Sequence, residues 1–264
     1  MEYLADFFTL YGPSLLLILF AVALIAGFID SIAGGGGLIT IPILLTVPGM
    51  TPVEALATNK LQAVGGSFSA SLYFIRKKIV DLNRCKTLIA TTFCGAVFGA
   101  SLIQFISAQV LQLLLPVMIF IIGFYFLFSP KLGQETRPAK IGYFTMGAFT
   151  GLIGFYDGFF GPATGSFFAL AFVTLMGFNL VNATAHAKVM NFTSNFASLL
   201  FFSLTGNILW PLGIIMLVGQ IIGANIGARL VISKGQKIIR PMLVIVSFAI
   251  SGKLLYSNYV QFMQ

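Results

Sequence analysis

The chain has 264 residues, of which 58% are hydrophobic and 8% charged, with a formal net charge of +8. A globular domain carries roughly 25% charged residues, and a mean hydropathy of +0.99 leaves too little polar surface for a water-soluble particle. Composition therefore excludes a soluble enzyme, a nucleic-acid binder and a disordered adaptor, and implies a polytopic membrane protein.

The N-terminus carries Glu2 and Asp6 and no Lys or Arg, the reverse of a cleavable signal. Seven segments follow that are long and apolar enough, or nearly so, to cross about 30 Å of hydrocarbon as helix. They are 10–33, 53–75, 87–106, 110–129, 141–160, 185–203 and 209–228, and an eighth runs over 241–257. Two shorter apolar runs, 38–47 and 166–177, each follow a glycine-rich break and are too short to span. They are predicted to be re-entrant half-helices. The expected fold class is an all-α integral membrane protein with about 8 membrane-spanning helices plus Gly-rich broken or re-entrant segments.

Twelve of the fifteen basic residues lie in three polar stretches: Arg76, Lys77, Lys78, Arg84 and Lys86; Lys131, Arg137 and Lys140; and Arg229, Lys234, Lys237 and Arg240. Charges confined to short segments between apolar runs follow the positive-inside pattern, so 76–86, 131–140 and 229–240 are expected to be cytoplasmic loops. A nucleic-acid surface would instead gather them on one exposed face. Two cysteines, Cys85 and Cys94, offer neither a disulfide framework nor metal spacing, and one histidine, His186, offers no metal cluster. No cofactor is expected.

An internal repeat organises the chain. Gly27-Phe28-Ile29-Asp30 recurs as Gly154-Phe155-Tyr156-Asp157, and Gly34 matches Gly161. With one inserted residue, Gly37 matches Gly165, Lys60 matches Lys188 and Phe74 matches Phe202. After a shorter linker, Gly95 and Gly99 match Gly219 and Gly223, and Pro116 matches Pro241. The expected organisation is an N-terminal repeat over 1–130, a basic linker over 131–140 and a C-terminal repeat over 141–264. Equivalent loops differ in charge: 76–86 is basic while 205–207 is not, and 229–240 is basic while 107–109 is not. Equivalent loops thus face opposite sides, which makes the repeats inverted across the membrane.

Four consecutive glycines, Gly34, Gly35, Gly36 and Gly37, break the first copy, and Gly161-Pro162-Ala163-Thr164-Gly165 breaks the second. Irregular backbone at membrane depth must be buried in protein or line a cavity. The half-helix after each break aims its N-terminal amides and positive dipole end at that place. Two such ends, opposed near midplane, suit an anion; the plainer alternative is that the glycines allow close packing or a tight turn. Lys60 and Lys188 sit well inside the membrane, where a lysine costs roughly 2.5–3.5 kcal/mol. They would attract an anionic substrate or switch between substrate and proton; otherwise they snorkel or pair with Asp30 or Asp157. Asn191 and Asn195 continue the face of Lys188 at helical spacing, and Asn59 adjoins Lys60. These amides would donate to substrate oxygens or bond between helices. Asp30 and Asp157 are the acids placed within apolar runs, as carriers of a coupling proton, lysine partners or tip caps. His186 is a weaker proton-relay candidate, since its repeat counterpart is Thr58. The Gly95/Gly99 and Gly219/Gly223/Gly227 strips read as helix-packing faces.

The motifs GFIDSIAGGGGLITIP with ATNKLQAVGGSFSA, and GFYDGFFGPATGSFFAL with ATAHAKVMNFTSN, resemble the TauE/SafE family of sulfite exporters over nearly the whole chain. The resemblance implies a multi-pass transporter of the bacterial inner membrane that moves small sulfur-containing anions such as sulfite or organosulfonates, or related carboxylates. The second break departs from the first, with Pro162-Ala163-Thr164 in place of three glycines, so the halves are expected to contribute unequally. The partners expected are a small anion, the bilayer and protons as coupling ion, with a homodimer left open and nucleic acid excluded. Rival classes are an anion channel using the same helix ends, a membrane-embedded enzyme, which lacks a nucleophile–base pair, and an assembly subunit.

Overall fold

The computed structural model describes residues 2–107, 110 and 136–234, with side chains from residue 11 onward. The expected spans 110–129 (Val110 apart) and 241–257 lie outside the described residues, as do Lys131, Lys237, Arg240 and the Pro116/Pro241 match. Eight α-helices and no strand are found among the described residues: α1 (Glu2–Ala33), α2 (Gly36–Leu44), α3 (Pro52–Arg76), α4 (Lys86–Leu102), α5 (Tyr143–Phe159), α6 (Thr164–Leu175), α7 (Leu180–Thr205) and α8 (Trp210–Lys234). A 3-10 turn, Ile103–Phe105, extends α4.

Among the described residues three stretches, Tyr11–Ala33, Lys86–Phe105 and Trp210–Lys234, are long and apolar enough to cross a membrane. α3 and α7, with 25 and 26 residues, match α8 in length. Both carry a strip of buried polar side chains, including Asn59, Lys60, Gln62, Ser67, Lys188, Asn191, Ser194 and Asn195, which dilutes their hydropathy.

Local signals set the ends. Thr51 and Glu54 form a reciprocal capping box ahead of α3, with Pro52 in the first turn. Asn179 caps α7 by accepting from the Asn182 amide at 2.9 Å, so this helix begins five residues before the expected 185, at Leu180. Gly206, at φ 75°, closes it. α8 runs through Arg229 to Lys234. The stretch from 229 to 234 is therefore helix rather than the expected loop, because no Gly or Pro interrupts it and a basic last turn complements the helix dipole. Gly12 and Pro13 break α1 near its start, with Gly12 at φ 64°.

The apolar clusters give the directions. One end of the bundle gathers Leu16, Leu19, Leu44, Val47, Ala55 and Leu212. The other gathers Ile32, Phe74, Val80, Cys85, Met146, Phe172, Met176 and Val231. α1 therefore runs from the first end to the second, and α2 turns back. α5 leaves the second end at Met146 and reaches Phe160, which packs with Ile41, Leu56 and Ile208; α6 then returns to Met176. These two helix–break–half-helix hairpins enter from opposite ends and overlap. Arg76, Arg84 and Lys86 flank the second end, and the linker is tied there by Arg137 N to Gly177 O (2.7 Å) and Lys140 N to Leu175 O (2.8 Å). We call it the basic end.

The small-residue strips are packing faces. A Cβ built on Gly219, Gly223 or Gly227 would lie 2.6, 1.9 or 2.5 Å from the carbonyl oxygen of Phe20, Leu24 or Phe28. Contacts that advance together along both helices make α8 and α1 parallel. α4 and α5 pair likewise, a Cβ on Gly95 or Gly99 falling against the Gly151 or Phe155 carbonyl oxygen. No side chain fits at these positions, so the backbones touch.

Candidate functional site

The two hairpin tips meet. Gly34 turns the first at φ 79° and Gly161 the second at φ 88°, a left-handed conformation that favours glycine. A Cβ on Gly34 would stand 2.3 Å from Ser166 N and 2.4 Å from Gly165 C, so the tips are in backbone contact. Ser166 Oγ donates to the Ala33 carbonyl, which fastens them. Within the second tip, Tyr156 OH donates to Pro162 O at 2.9 Å. Its counterpart Ile29 has no hydroxyl, so the halves differ as the motifs imply.

Two buried ion pairs cross between the hairpins and the long polar helices. Lys60 Nζ of α3 lies 2.8 Å from Asp157 Oδ1 of α5, with side-chain exposures of 2% and 1%. Lys188 Nζ of α7 lies 2.8 Å from Asp30 Oδ2 of α1, with exposures of 1% and 9%. Each lysine thus pairs with the acid of the other half. Asp30 also holds the start of a half-helix, Gly36 N donating to its Oδ1 at 3.1 Å, whereas Asp157 accepts from the side chain at the other start, Thr164 Oγ1, at 2.9 Å. The lysines thus make the pairs with Asp30 and Asp157 that the sequence offered as the alternative to anion binding.

The two pairs are unequal. Asp157 further accepts from Ser194 Oγ, and Lys60 donates also to the Asp157 carbonyl. Asp30 has only the Gly36 amide beside its lysine. Removing one partner of such a buried pair costs about 3–5 kcal/mol, because the other charge is stranded.

Beside the tips is a cavity of about 20 Å³, room for about one water molecule. Asp30, Gly34, Gly37, Asn59, Ala63, Gly161, Thr164, Gly165, Asn191, Asn195 and Gln220 line it. Nine of these are expected site residues. Lys60, Lys188 and Asp157 stand behind it, held in the ion pairs. Gly36 is engaged by Asp30, and Gly35 is the N-cap of α2. Asn59 Oδ1 accepts from Thr40 Oγ1 (2.6 Å) and Gln62 Nε2 (2.7 Å). Asn195 Nδ2 donates to Asn191 O and Oδ1 at 2.7 and 3.0 Å.

Gln220 was not legible as a site residue, because it sits in the glycine packing strip of α8 and its repeat counterpart, Ala96, is apolar. Its Oε1 is buried without a hydrogen-bond partner among the described residues. A polar residue inside that strip was the available signal. Ser194 and Ser166, which tie Asp157 and the tips, were missed for the same reason: small hydroxyls are common in helix interfaces.

His186 is elsewhere. Its ring packs on Phe172 and Phe178, with centroids 5.4 and 4.8 Å away, and Nδ1 lies 2.8 Å from Asn182 O. With Asp81, Arg84, Tyr143 and Asn182 it lines a separate cavity of about 220 Å³ at the basic end. Among the described residues no group of acids, cysteines and histidine could hold a metal ion.

An apolar bundle with two broken hairpins meeting tip to tip over buried charges defines a polytopic membrane transporter. Residues 19–254 match the family described as Sulfite exporter TauE/SafE. The chain belongs to this family. It is 58% identical over 251 residues to "Probable membrane transporter protein YfcA" of Escherichia coli (strain K12), covering 95% of this chain and 93% of that protein. It is 54% identical over 248 residues to a "Probable membrane transporter protein" of Haemophilus influenzae, covering 94% and 97%. A relative from Bacillus subtilis (strain 168), YunE, is 23% identical over 270 residues. No solved structure matches.

Proposed function

We propose that the protein moves a small sulfur-containing oxyanion, such as sulfite or an organosulfonate, through a site between the two hairpin tips. The observation that carries this reading is the crossed pairing of Lys60 with Asp157 and Lys188 with Asp30 at the half-helix starts. Four buried charges lie where two helix N-termini converge, and ionisable groups held at that depth, even paired, mark substrate or ion pathways. The anion would be held by the half-helix amides, the two lysines and the amides of Asn59, Asn191 and Asn195. In this reading the tips part to admit the anion to the cavity beside them. The helix–half-helix units α1–α2 and α5–α6 are read as equivalent parts of two inverted repeats, 1–130 and 141–264, rocking to alternate access. The basic end is cytoplasmic in this reading, and the membrane is the bacterial inner membrane.

The test is uptake of labelled sulfite into proteoliposomes, with organosulfonates as competitors, by wild type, Lys60→Ala and Lys188→Ala. Saturable uptake lost in both variants is expected. Full uptake in both variants removes the lysines from the site. Flux above carrier rates without counter-transport would turn the reading to a channel.

A further inference from the structure

We infer that the Asp30–Lys188 pair is the exchangeable one, that Asp30 is a built-in stand-in for the transported anion, and that it takes up one proton for each anion that displaces it. This rests on the anion site proposed above and assigns its coupling.

Both carboxylates hold the place of an anion, but only Asp30 can leave it. Asp157 accepts from Lys60, Thr164 and Ser194 and is not among the residues that line the cavity beside the tips. Releasing its carboxylate would break three hydrogen bonds. The Asp30 carboxylate accepts two, lines the cavity and has the most exposed side chain of the four charges, at 9%. Lys188 stands just behind the lining: a Cβ on Gly165, which lines the cavity, would lie 3.2 Å from its Nζ, as one on Gly161 would lie 2.9 Å from the Lys60 Nζ. An ammonium carries three donors, and Lys188 spends one on Asp30. The unpaired Gln220 Oε1 at the same cavity awaits a donor, and a protonated carboxyl or a hydrogen-bearing anion supplies one.

The charge balance follows. In the empty site Lys188 is positive and Asp30 negative. In the loaded site the anion sits on Lys188, and Asp30, buried without its cation, holds a proton from the water on the open side, since a stranded buried charge neutralises. A monovalent anion and one proton then cross together with no net charge, and a divalent anion carries one net negative charge. Few other groups compete. α2 and α6 carry no titratable side chain. On α3, Glu54 is bound in its capping box and Arg76 lies in the last turn, leaving Lys60, which is held by Asp157. On α8, Arg229 is exposed and Lys234 ends the helix. On α7, His186 faces the aromatic cage at the basic end.

The test has two arms. In the first, proteoliposomes containing a pH dye are given an organosulfonate, which brings no titratable proton of its own near neutrality, and proton and anion entry are counted in wild type, Asp30→Asn and Asp81→Asn. The expected result is a fixed proton-to-anion ratio in wild type, with the sulfonate entering one-to-one and independently of membrane potential. In Asp30→Asn the proton signal falls to background and flux becomes potential-driven. Asp81→Asn, at an exposed loop acid away from the tips, keeps both flux and ratio. Anion entry without protons in wild type, or proton entry that survives Asp30→Asn, overturns the inference. The second arm needs no substrate, so it stands if the sulfonate proves not to be carried. Lys188→Met and Lys188→Gln mimic a neutralised lysine, and infrared spectra at neutral pH should show a protonated carboxyl band that Asp30→Asn removes. Absence of that band in both folded variants overturns the inference, whereas absence of sulfonate flux alone overturns only the substrate assignment.

Discussion

Replacing Gly34 by alanine tests whether the hairpin tips touch, and the protein supplies its own control. The new Cβ would stand 2.3 Å from Ser166 N and 2.4 Å from Gly165 C, whereas carbon contacts settle near 3.5–4.0 Å. The tips would have to part by more than about 1 Å. That movement breaks the Ser166–Ala33 hydrogen bond, worth about 1 kcal/mol. Overpacking adds roughly 1–3 kcal/mol, and alanine at φ 79° about 1–2 kcal/mol. The sum is roughly 3–6 kcal/mol. Gly49 has nearly the same backbone, φ 76°, with nothing within 4 Å of its Cβ position, so Gly49→Ala bears only the conformational part, about 1–2 kcal/mol. The assay is the apparent Tm of each purified variant in detergent, alongside anion uptake in liposomes. Gly34→Ala should melt well below Gly49→Ala and lose uptake, and Gly49→Ala should keep it. Equal melting of the two variants would refute the tip contact.

Three further outcomes are expected. Lys60→Met strands the Asp157 carboxylate and should destabilise by about 3–5 kcal/mol, while the double variant Lys60→Met/Asp157→Asn should recover a large part of that loss in the same melting assay. Gly223→Ala puts a Cβ 1.9 Å from Leu24 O and should lower Tm sharply, whereas Gly142→Ala, with nothing within 4 Å, should leave it unchanged. Cys85 is fully buried, and burial, with a smaller push from Asp81, raises its thiol to about 11. At pH 8 its thiolate share is then ~0.1%, so a Cys94→Ser protein should resist a membrane-impermeant maleimide until denatured.

Much of the architecture was legible because membrane burial enforces composition. Long apolar runs, half-length runs after glycine breaks and helix-spaced glycines each have one physical use in hydrocarbon. The breaks at Gly34 and Gly161, and the place of Lys60 and Lys188 on long helices, follow from those rules. The partners of the lysines did not. That Lys60 meets Asp157 rather than Asp30 depends on which half each helix packs against, and a one-dimensional pattern does not carry that. Gln220 escaped because its neighbours fit a packing strip, and the repeat offered an apolar counterpart. α7 starts five residues ahead of the expected 185 because Asn179 caps it, and an asparagine before an apolar run suits a polar loop equally well. The end of α8 was set early since Arg229 read as loop, although nothing there breaks a helix.

The crossed pairing also sets an order of assembly. Asp30 and Lys188 are 158 residues apart in the chain, and Lys60 and Asp157 are 97 apart. At synthesis rates of about 5–20 residues per second, Asp30 waits roughly 8–30 s for its lysine to be made. Through that interval the first half carries an acid and a lysine whose partners do not yet exist. The nascent half therefore needs shelter from lipid for these two charges, from the insertion machinery or from pairing them briefly with each other. The mature arrangement would then arise by an exchange of partners when the second hairpin arrives.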